Sequence, residues 1–546
     1  PFRGFLSLLR PLNLDQKSLK SFAAPLRHMP PLSSWVYCLT TTLALAAAFD
    51  VRLTTTNCPF NPDRYVLPTT FPQMSPELQS NLTALEHLMK ATVANNSHLP
   101  SMVAALNYNG QTVWNYGAGE TKRGNQKTPD LHTKYRVGSV SKVFPVLQLY
   151  MLAEHPTSAI TLDNTLSNLP PNHVTFVNPS APQNQPTLRQ LASQRAGLPR
   201  AAPCNGLNVL FCNVSNAEMI QHINATTLLI SQPGGVPSYS NLAFALLGNE
   251  LATIEGTTFE EWVQTNILKP LSLNRTGFGL DTSSATNAAT GYRSNGMAVG
   301  TYHLGWNMPC GGMSSSVHDL NVLSQAIMAG TLFHNQGTSD QLMNPLYLNP
   351  GGKTLFGTPW EMAYHSETGY LVRRKGGNVP GYTALMAFVP ELKLSLSILW
   401  SGHADEFGGS EQAFDRILTP INEMFQEMAT KEEPLQPTDQ ASFVGTYSSP
   451  NITGAGGSAV VSIHANKLVL KVAVLNAGMY LRQSGGKSEA GGTTLRTMQM
   501  WVPRTLLSCL ALELQAFLNQ YVVFNEGLTT FSIPGLVPGF IWTKDG

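Results

Sequence analysis

The sequence predicts an α+β fold in which a region of mixed helices and strands is followed by a small all-β domain. Apolar residues recur at helical spacing over 139–155 and 242–255. By contrast, 382–389 and 392–400 are short, nearly continuous apolar runs of the length expected for buried strands. Beyond residue 440 the patterns are strand-like, and this predicts a C-terminal domain built from strands.

The other elements follow from the same periodicities and from turn residues. Residues 102–116 surround a turn at Gly110 and predict a hairpin. Pro145 lies inside the helix that begins at Ser139 and removes one backbone donor, which predicts a kink one turn after the helix start. Further helices are predicted at 76–95, 259–268, 319–329 and 411–428.

Proline and charge indicate where the folded regions end. Four prolines lie within 54–75, and a mixture of prolines with charged residues occupies 429–440, so both segments are predicted to be linkers. The predicted organisation is therefore a basic segment, an apolar segment, a linker, a large folded domain, a second linker and a β domain, at 1–31, 32–53, 54–75, 76–428, 429–440 and 441–546.

The N-terminal region has the charge pattern of a membrane-targeting segment. Residues 1–31 contain five basic residues and one acidic residue, and 32–53 has about the 20 residues that a bilayer span needs. Because basic flanks stay cytoplasmic, this predicts a signal-anchor and a single-pass type II membrane protein whose folded domains are extracellular or lumenal. Two alternatives stay open: a cleaved signal peptide with small residues at 46–48 near the cut, which would give a secreted protein, and a buried helix.

Two further features agree with export. Cys204 and Cys212 lie eight residues apart in a stretch of turn residues, and a local disulfide between them would suit an oxidising compartment. The alternative is a pair of buried thiols. Six Asn-x-Ser/Thr sequons without a central proline predict N-glycosylation, at Asn81, Asn95, Asn213, Asn224, Asn274 and Asn451.

Composition and missing motifs exclude several classes of function. The charges nearly cancel, with 34 basic and 33 acidic residues, and no basic run alternates with aromatic residues, so nucleic acid is not an expected partner. The sequence lacks the His-Glu-x-x-His pattern of zinc hydrolases and the Gly-x-x-x-x-Gly-Lys loop of nucleotide-binding proteins. Neither a metal nor a cofactor is therefore predicted.

The strongest chemical motif is the Ser-x-x-Lys of 139–142. On a helix Ser139 and Lys142 share one face, and a lysine beside a serine can take its proton, which is the minimum for an activated nucleophile. Lys375 is followed by two glycines, by Asn378 and by an apolar strand. Because glycines beside a strand permit close backbone approach, this segment is a candidate cleft edge whose lysine would attract an anionic substrate group.

A third motif is the Tyr-x-Asn of 239–241, which lies at a turn just before the predicted helix 242–255. A tyrosine near two lysines can have a lowered phenol pKa and can carry a proton, so Tyr239 is a candidate base. A second Tyr-x-Asn at 347–349 lies between prolines and has no helix after it. We interpret that second copy as a loop without a chemical role.

In this order, Ser-x-x-Lys, Tyr-x-Asn and Lys-x-Gly resemble the serine β-lactamase-like family, which spans class C β-lactamases, serine D-Ala-D-Ala carboxypeptidases and related esterases. The resemblance covers about 76–428, and further family-like segments lie at 135–142, 187–199, 267–273 and 311–320. Ala196 stands where the family usually has serine, and Gly376 stands where it usually has a hydroxyl residue in the third motif. The implied fold is an antiparallel sheet flanked by helices, with an all-helical subdomain.

The resemblance also implies a role for each candidate residue. Ser139 would be the acylated nucleophile, and Lys142 and Tyr239 would move its proton. Asn241 would hold the acyl side of the substrate, and Lys375 would steady Tyr239 or an anionic group. Gly377 and Asn378 would border the substrate, with the backbone amides of Ser139 and Asn378 forming the oxyanion hole.

The resemblance implies a serine hydrolase that cleaves a small amide, ester or peptide through an acyl-enzyme. The N-terminal segment adds the expectation that this hydrolase is membrane-anchored and exported. The alternative is a catalytically weak or inactive fold that acts as a binding or scaffolding protein, which the glycine at position 376 favours. The expected contacts are the substrate and, through 32–53, a membrane. The oligomeric state stays open.

Overall fold

The computed structural model describes residues 67–204, 211–282, 287–402 and 410–431 and, in the C-terminal region, 436–450, 457–464, 466–472, 477–490, 493–501, 521–525, 527–533 and 541–545. The chain divides into two compact units with the boundary between Lys431 and Glu432. This boundary falls within the linker predicted at 429–440. The other predicted domain borders stay predictions.

The first unit is organised around a large antiparallel sheet. Its strands are β1 Ser101–Tyr108, β2 Gln111–Gly119, β3 Tyr135–Arg136, β4 Gly277–Phe278, β5 Met313–Ser315, β6 Tyr347–Leu348, β7 Leu355–Phe356, β8 Glu361–Tyr364, β9 Leu371–Val379, β10 Tyr382–Val389 and β11 Leu394–Ser401. Eight of them form one sheet in the order β2-β1-β11-β10-β9-β8-β7-β6, and the other three form a small sheet in the order β3-β5-β4.

Helices cover the sheet on both faces. They are α1 Pro76–Asn95, α2 Val143–Glu154, α3 Leu188–Ala192, α4 Asn216–Thr226, α5 Asn241–Ile254, α6 Phe259–Val263, α7 Met308–Gly311, α8 Val317–Met328, α9 Gln336–Met343 and α10 Ser410–Lys431. Side chains alternate across a strand, so β10 contributes to two separate cores. Ala384, Met386 and Phe388 pack in one core with α2 and α5. The intervening apolar residues of β10 pack in the other core with α1 and α10.

Local sequence signals explain most of these elements. The hairpin predicted around Gly110 is present as β1 and β2, and Asn109 and Gly110 adopt the positive φ angles that a tight hairpin turn needs. Near Pro145, where a kink was predicted, the helix type changes from 3₁₀ to α. Gly138–Lys142 is a 3₁₀ helix, and the α-helix starts at Val143. Pro145 then lies in the first turn of α2, where a backbone donor has no intrahelical partner to lose.

The C-terminal unit is all-β, as predicted. After the short helix α11 Gln440–Phe443 come β12 Gly445–Ser448, β13 Ser458–His464, β14 Lys467–Val472, β15 Ala477–Ala490, β16 Thr493–Trp501, β17 Tyr521–Asn525, β18 Thr530–Ser532 and β19 Trp542–Lys544. Each strand pairs antiparallel with the next, and β19 pairs with β12 to close the sheet. Phe443, Tyr447, Phe524, Phe531 and Trp542 supply its aromatic core.

The structure contradicts the predicted localisation as a single-pass type II membrane protein. Across the part of the chain that the structure describes, no helix combines the length and the apolar character needed to cross a bilayer. The segment 32–53, on which the signal-anchor prediction depended, lies outside the described residues.

The covalent modifications predicted from the sequence differ in their outcome. The structure contains a disulfide between Cys204 and Cys212. Four sequon asparagines are exposed, at Asn95, Asn213, Asn224 and Asn274. Asn81 is partly buried and donates a side-chain hydrogen bond to the Arg416 carbonyl, and Asn451 lies outside the described residues. No comparison with known proteins supports glycosylation, which stays a prediction.

Candidate active site

Ser139 and Lys142 lie within the 3₁₀ helix that immediately precedes α2. Gly138, just before the serine, has a φ of +51°, a left-handed conformation that glycine adopts without strain. Lys142 is fully buried, and its Nζ lies 2.9 Å from the Ser139 Oγ. The predicted pairing of the two side chains on one helix face is therefore present in the structure.

Two other acceptors complete the surroundings of the lysine. The Lys142 Nζ donates to the Asn241 Oδ1 at 2.8 Å and to the Cys310 carbonyl oxygen at 2.7 Å. An ammonium group has three N–H donors, and with Ser139 each of them has an acceptor. This satisfies a buried cation that would otherwise be very unfavourable in the interior.

Tyr239 and Asn241 reach the same site from the start of α5. The Ser240 side chain caps this helix by accepting a hydrogen bond from the Ala243 amide at 3.1 Å. The Asn241 amide donates to the Arg200 carbonyl at 2.7 Å, which ties the turn to the loop after α3. In this position the Tyr239 hydroxyl donates a short hydrogen bond to the Ser139 Oγ.

The phenol of Tyr239 is surrounded by positive charge. The Nζ atoms of Lys142 and Lys375 lie 4.9 Å and 5.4 Å from the centre of its ring, and the Arg200 guanidinium carbon lies 4.9 Å from it. Burial by itself would raise the pKa of Tyr239. Burial is the largest single influence, but the charges of Lys142 and Lys375 together with the hydrogen bonds to Ser139 and Lys142 outweigh it and hold the pKa of Tyr239 below its ordinary value.

Lys375 differs from the sequence-based expectation. Its side chain is only 1% exposed, and its Nζ lies 2.7 Å from the Glu361 Oε1. The cation that was expected to attract an anionic substrate group is therefore already paired with a carboxylate of this chain. The partner comes from the neighbouring strand, because β8 starts at Glu361 and pairs with β9.

The two glycines that follow Lys375 have different surroundings. A Cβ on Gly377 would lie 1.9 Å from the Val137 carbonyl oxygen and 2.8 Å from the Ser139 nitrogen, so only glycine fits there. A Cβ on Gly376 would meet no atom of the described residues within 4 Å. β9 and the nucleophile segment are therefore in direct backbone contact at Gly377, whereas Gly376 borders open space.

The backbone amide of Asn378 faces the same edge. Val379 and Tyr382 close the hairpin between β9 and β10 through a two-residue turn, so they form the hydrogen-bonded pair. Asn378 and Thr383 form the next pair, whose amides and carbonyls point away from the partner strand. The Ser139 amide lies in the first turn of its helix, where amides have no intrahelical partner.

Two cavities meet at Ser139. The larger one, a cleft of about 440 Å³, includes Ser139, Arg200, Tyr239, Glu361, Lys375 and Asn378 among its lining residues. The smaller one, of about 60 Å³, is lined by Ser139, Ala201, Ala202, Asn241, Cys310 and Asn378 among others. A reacting carbonyl at the Ser139 Oγ could therefore have one substituent in each cavity.

Three participants were not found from the sequence. Arg200 immediately follows the Gly-Leu-Pro that ends the family-like loop at 187–199. Its place next to this segment could have indicated that it lies near the site. Glu361 and the Cys310 carbonyl have no local signal, because strand register and a backbone turn bring them to the site. The other Tyr-x-Asn at 347–349 includes the edge strand β6, and its Tyr347 contacts Arg195 outside the cleft lining.

A metal centre has no support among the described residues. Within the ranges set out above, no group of three or more His, Cys, Asp or Glu side chains is placed to hold a metal ion. The arrangement instead suits chemistry at a carbonyl carbon, because the Ser139 hydroxyl contacts an amine and a phenol of lowered pKa, and the backbone amides of Ser139 and Asn378 lie at the same edge.

Comparison with known proteins identifies the class of protein. The sequence model of the family described as Beta-lactamase matches residues 83–418, and this chain belongs to the beta-lactamase family of serine hydrolases. The family resemblance seen in the sequence is therefore confirmed.

Individual relatives agree with this assignment. The human protein "Putative beta-lactamase-like 1" is 32% identical over 411 residues, which cover 72% of this chain and 79% of that protein. The D-alanyl-D-alanine-carboxypeptidase/endopeptidase AmpH of Escherichia coli is 23% identical over 52% of this chain and 74% of that protein.

A solved structure confirms the predicted fold. The octameric penicillin-binding protein homologue from Pyrococcus abyssi superimposes with a TM-score of 0.53 and covers 85% of this chain and 100% of that structure. Its sequence identity is 17%, so the likeness shows the fold alone. The fold is the β-lactamase/transpeptidase-like arrangement of an antiparallel sheet and helices, with a C-terminal all-β region.

Proposed function

We propose that this protein hydrolyses an amide or ester through an acyl-enzyme on Ser139, with Tyr239 as the proton carrier and Lys142 as the fixed positive charge beside it. The observation that carries the proposal is the Ser139 hydroxyl, which accepts hydrogen bonds from both Tyr239 and Lys142. The same contacts support the sequence-based assignments of Ser139 and Tyr239, whereas Lys142, which the resemblance implied as a second proton carrier, is a fixed charge in this proposal.

The charges around the two side chains favour Tyr239 over Lys142 as the base. The Asn241 Oδ1 and the Cys310 carbonyl oxygen can only accept, so they hold two N–H groups of Lys142, and a protonated Lys142 gives its third to Ser139. Tyr239, with its lowered pKa, can lose its proton more readily than an ordinary phenol. In the reactive state the phenolate would accept the Ser139 proton as the Oγ bonds to the carbonyl carbon.

The remaining steps follow from the positions of the donors. The charge that develops on the carbonyl oxygen would be stabilised by the amides of Ser139 and Asn378. Collapse of the tetrahedral intermediate breaks the bond to the leaving amine or alcohol, which takes the proton from Tyr239. Water then attacks the acyl-enzyme, gives its proton to Tyr239, and releases the acid while Ser139 regains its hydrogen.

The substrate would span the two cavities around Ser139. Asn241 borders the smaller one, and Lys375, Gly377 and Asn378 border the larger one, so both sets of sequence-predicted binding residues would contact substrate. The Escherichia coli relative is named as a D-alanyl-D-alanine-carboxypeptidase/endopeptidase. Small D-amino-acid peptides therefore belong beside simple esters and amides in a substrate screen.

The decisive experiment compares two serines of one turn. Ser139→Ala should abolish hydrolysis and labelling by a fluorophosphonate probe. Ser141→Ala should keep both, because the buried Ser141 Oγ accepts a hydrogen bond from the Met313 amide and so has a structural role. Labelling that persists in Ser139→Ala, with a peptide adduct mapped elsewhere, would overturn the proposal.

A binding or scaffolding role is the second candidate. The observation that favours it is the third motif, in which Gly376 contributes no side chain and Lys375 is paired within the chain. A scaffold predicts that Ser139→Ala leaves the protein's biological effect intact. Loss of that effect in Ser139→Ala, with the thermal unfolding midpoint unchanged, would exclude the scaffold.

A further inference from the structure

We infer that Glu361 is a specificity-determining residue, which excludes anionic groups from the part of the cleft beside Lys375. The substrate portion that lies there is then uncharged or cationic. This inference rests on the proposed function, because it describes which substrate the Ser139 site accepts. Nothing in the three sequence motifs indicates it, since Glu361 lies outside all of them.

The geometry of the ion pair carries the inference. Both residues line the cleft, but the Lys375 side chain is 1% exposed, whereas the Glu361 side chain is 39% exposed. An incoming group therefore meets the carboxylate before it meets the ammonium. An anion at this place would have to approach the Glu361 charge closely or displace it from a contact of 2.7 Å.

Both strand neighbours of Lys375, Arg374 before it and Gly376 after it, also line the cleft. Glu361 is the first residue of β8 and pairs in register with Arg374, one residue before Lys375. The next residue, Gly376, borders open space among the described residues, so no hydroxyl or amide side chain stands there to hold an anion. An anion in this part of the cleft would therefore compete with the Glu361 carboxylate, which contacts Lys375 and lies opposite Arg374 in the strand register.

The exclusion is local and does not apply to the whole cleft. Arg200 is exposed and also lines the cleft, with its guanidinium carbon 4.9 Å from the centre of the Tyr239 ring. An anionic group directed toward Arg200 would meet a positive charge. The competing possibility is that a substrate carboxylate displaces Glu361 from Lys375, and the experiment below distinguishes the two.

The test uses paired esters within each variant. Each pair consists of two nitrophenyl esters that differ only in a carboxylate or a carboxamide. In the first pair this group is on the leaving alcohol, and in the second pair it is on the acyl group. The ratio of kcat/KM for carboxylate over carboxamide is measured in the wild type and in Glu361→Gln. Glutamine keeps an oxygen acceptor for Lys375 and removes the negative charge.

A matched control comes from the neighbouring ion pair on the same strand. Arg373 of β9 contacts Glu391 at 2.8 Å, and the Glu391 side chain is 36% exposed, nearly the same as that of Glu361. Arg373 and Glu391 lie outside the residues that line the cleft. Glu391→Gln therefore removes the same charge at the same exposure without changing the cleft.

We expect the wild type to hydrolyse the carboxamide ester faster than the carboxylate ester in at least one pair. In that pair Glu361→Gln should raise the ratio of kcat/KM for carboxylate over carboxamide about tenfold, as expected for removal of one like charge a few Å away. Glu391→Gln should leave the ratio unchanged. Preference of the wild type for the carboxylate in both pairs, or an unchanged ratio in Glu361→Gln, would overturn the inference.

The same selection is measurable without turnover. In the Ser139→Ala background the four esters are intact ligands, and their dissociation constants are compared with and without Glu361→Gln. A carboxylate ratio that improves about tenfold supports the inference even if the proposed hydrolysis is disproved. An unchanged binding ratio overturns it even if Ser139 proves to be the nucleophile.

Discussion

The Nζ of Lys142 lies 2.8 Å from the Oδ1 of Asn241, a residue 99 positions later in the chain. This hydrogen bond connects the nucleophile segment before α2 to the start of α5. It also fixes the lysine charge beside Tyr239, whose ring centre is 4.9 Å from the Nζ. The activity proposed for Ser139 therefore depends on a cation held in place by groups from three separate elements, since the Cys310 carbonyl of α7 also accepts from it.

Replacement of this cation should remove activity while the protein stays folded. In Lys142→Met the side chain keeps its length but leaves the Ser139, Asn241 and Cys310 acceptors without their donor, and the hydrolysis rate should fall by at least about 10²-fold. Steady-state kinetics with circular dichroism as a folding check measures this. Lys134→Met, a partly buried lysine outside the cleft lining, should retain wild-type kinetics. Near-normal rates in Lys142→Met would contradict the role given to it.

The pH dependence of the reaction should report the lowered pKa of Tyr239. A base must be unprotonated to act, so kcat/KM should rise with pH along a limb whose midpoint lies below the ordinary phenol value of about 10. Lys375→Met removes one of the two charges that lower this pKa, and the limb should move to higher pH. Lys90→Met, an exposed position on α1, should leave the limb unchanged.

The phenol itself can be removed to test that assignment. Tyr239→Phe should lower kcat by about 10²- to 10⁴-fold and abolish the limb, because the proton carrier is lost. The matched control is Tyr347→Phe, which changes the same residue type in the Tyr-x-Asn copy outside the cleft lining. If the limb persists in Tyr239→Phe, another group is the base.

The two glycines of the third motif should respond differently to one added methyl group. Gly377→Ala places a Cβ 1.9 Å from the Val137 carbonyl oxygen, so β9 must move away from Ser139 and both activity and the thermal unfolding midpoint should fall. Gly376→Ala has room for its Cβ among the described residues and should keep or raise the midpoint, because glycine is unfavourable in a strand by about 0.5–1 kcal/mol. Equal midpoints for the two variants would contradict the backbone contact.

Glu250 should make stability depend on pH in the opposite sense to an ordinary carboxylate. Burial raises its pKa, and hydrogen bonds from Asn172 and Asn216 only partly offset this. The folded state therefore holds the proton more tightly than the unfolded state. The resulting stabilisation is complete below the ordinary glutamate pKa of 4.5 and is lost as the pH rises through the folded pKa.

Glu250→Gln should consequently become more stable than the wild type as the pH rises from 5 to 8, since one amide oxygen can accept from both asparagines. Denaturant unfolding at several pH values measures the difference in the free energy of unfolding. Glu218→Gln is the control of opposite sign, because the Ser215 amide and hydroxyl hold the pKa of Glu218 below its ordinary value. A difference for Glu250→Gln that does not change with pH would argue against a raised pKa.

Much of the fold could be predicted from short windows of sequence. The continuous apolar run of 382–389, the turn at Gly110 and the helical spacing of 76–95 each depend on neighbouring residues only, and each element is present near its predicted position. The kink at Pro145 was predicted for a single helix from Ser139, whereas the chain changes from a 3₁₀ to an α-helix before the proline, and the spacing of apolar residues did not indicate that change.

The candidate site was predicted as a set of residues but not as a set of interactions. Ser139, Lys142, Tyr239 and Asn241 converge as the motif order implies. The partner of Lys375 was missed, because the register of β8 on β9 brings Glu361 beside it from 14 positions away. Arg200 was missed because its relation to Tyr239 depends on how two loops approach each other.

The sequence by itself determined which residues could react, since side-chain chemistry, spacing and motif order are local properties of the chain. Only the tertiary structure decided the electrostatic state of those residues. Three features all depend on atoms that are distant in sequence: the positive charge beside Tyr239, the ion pair between Lys375 and Glu361, and the different space around Gly376 and Gly377. In a buried site of low dielectric constant such non-local neighbours set pKa values and specificity, because water no longer screens them.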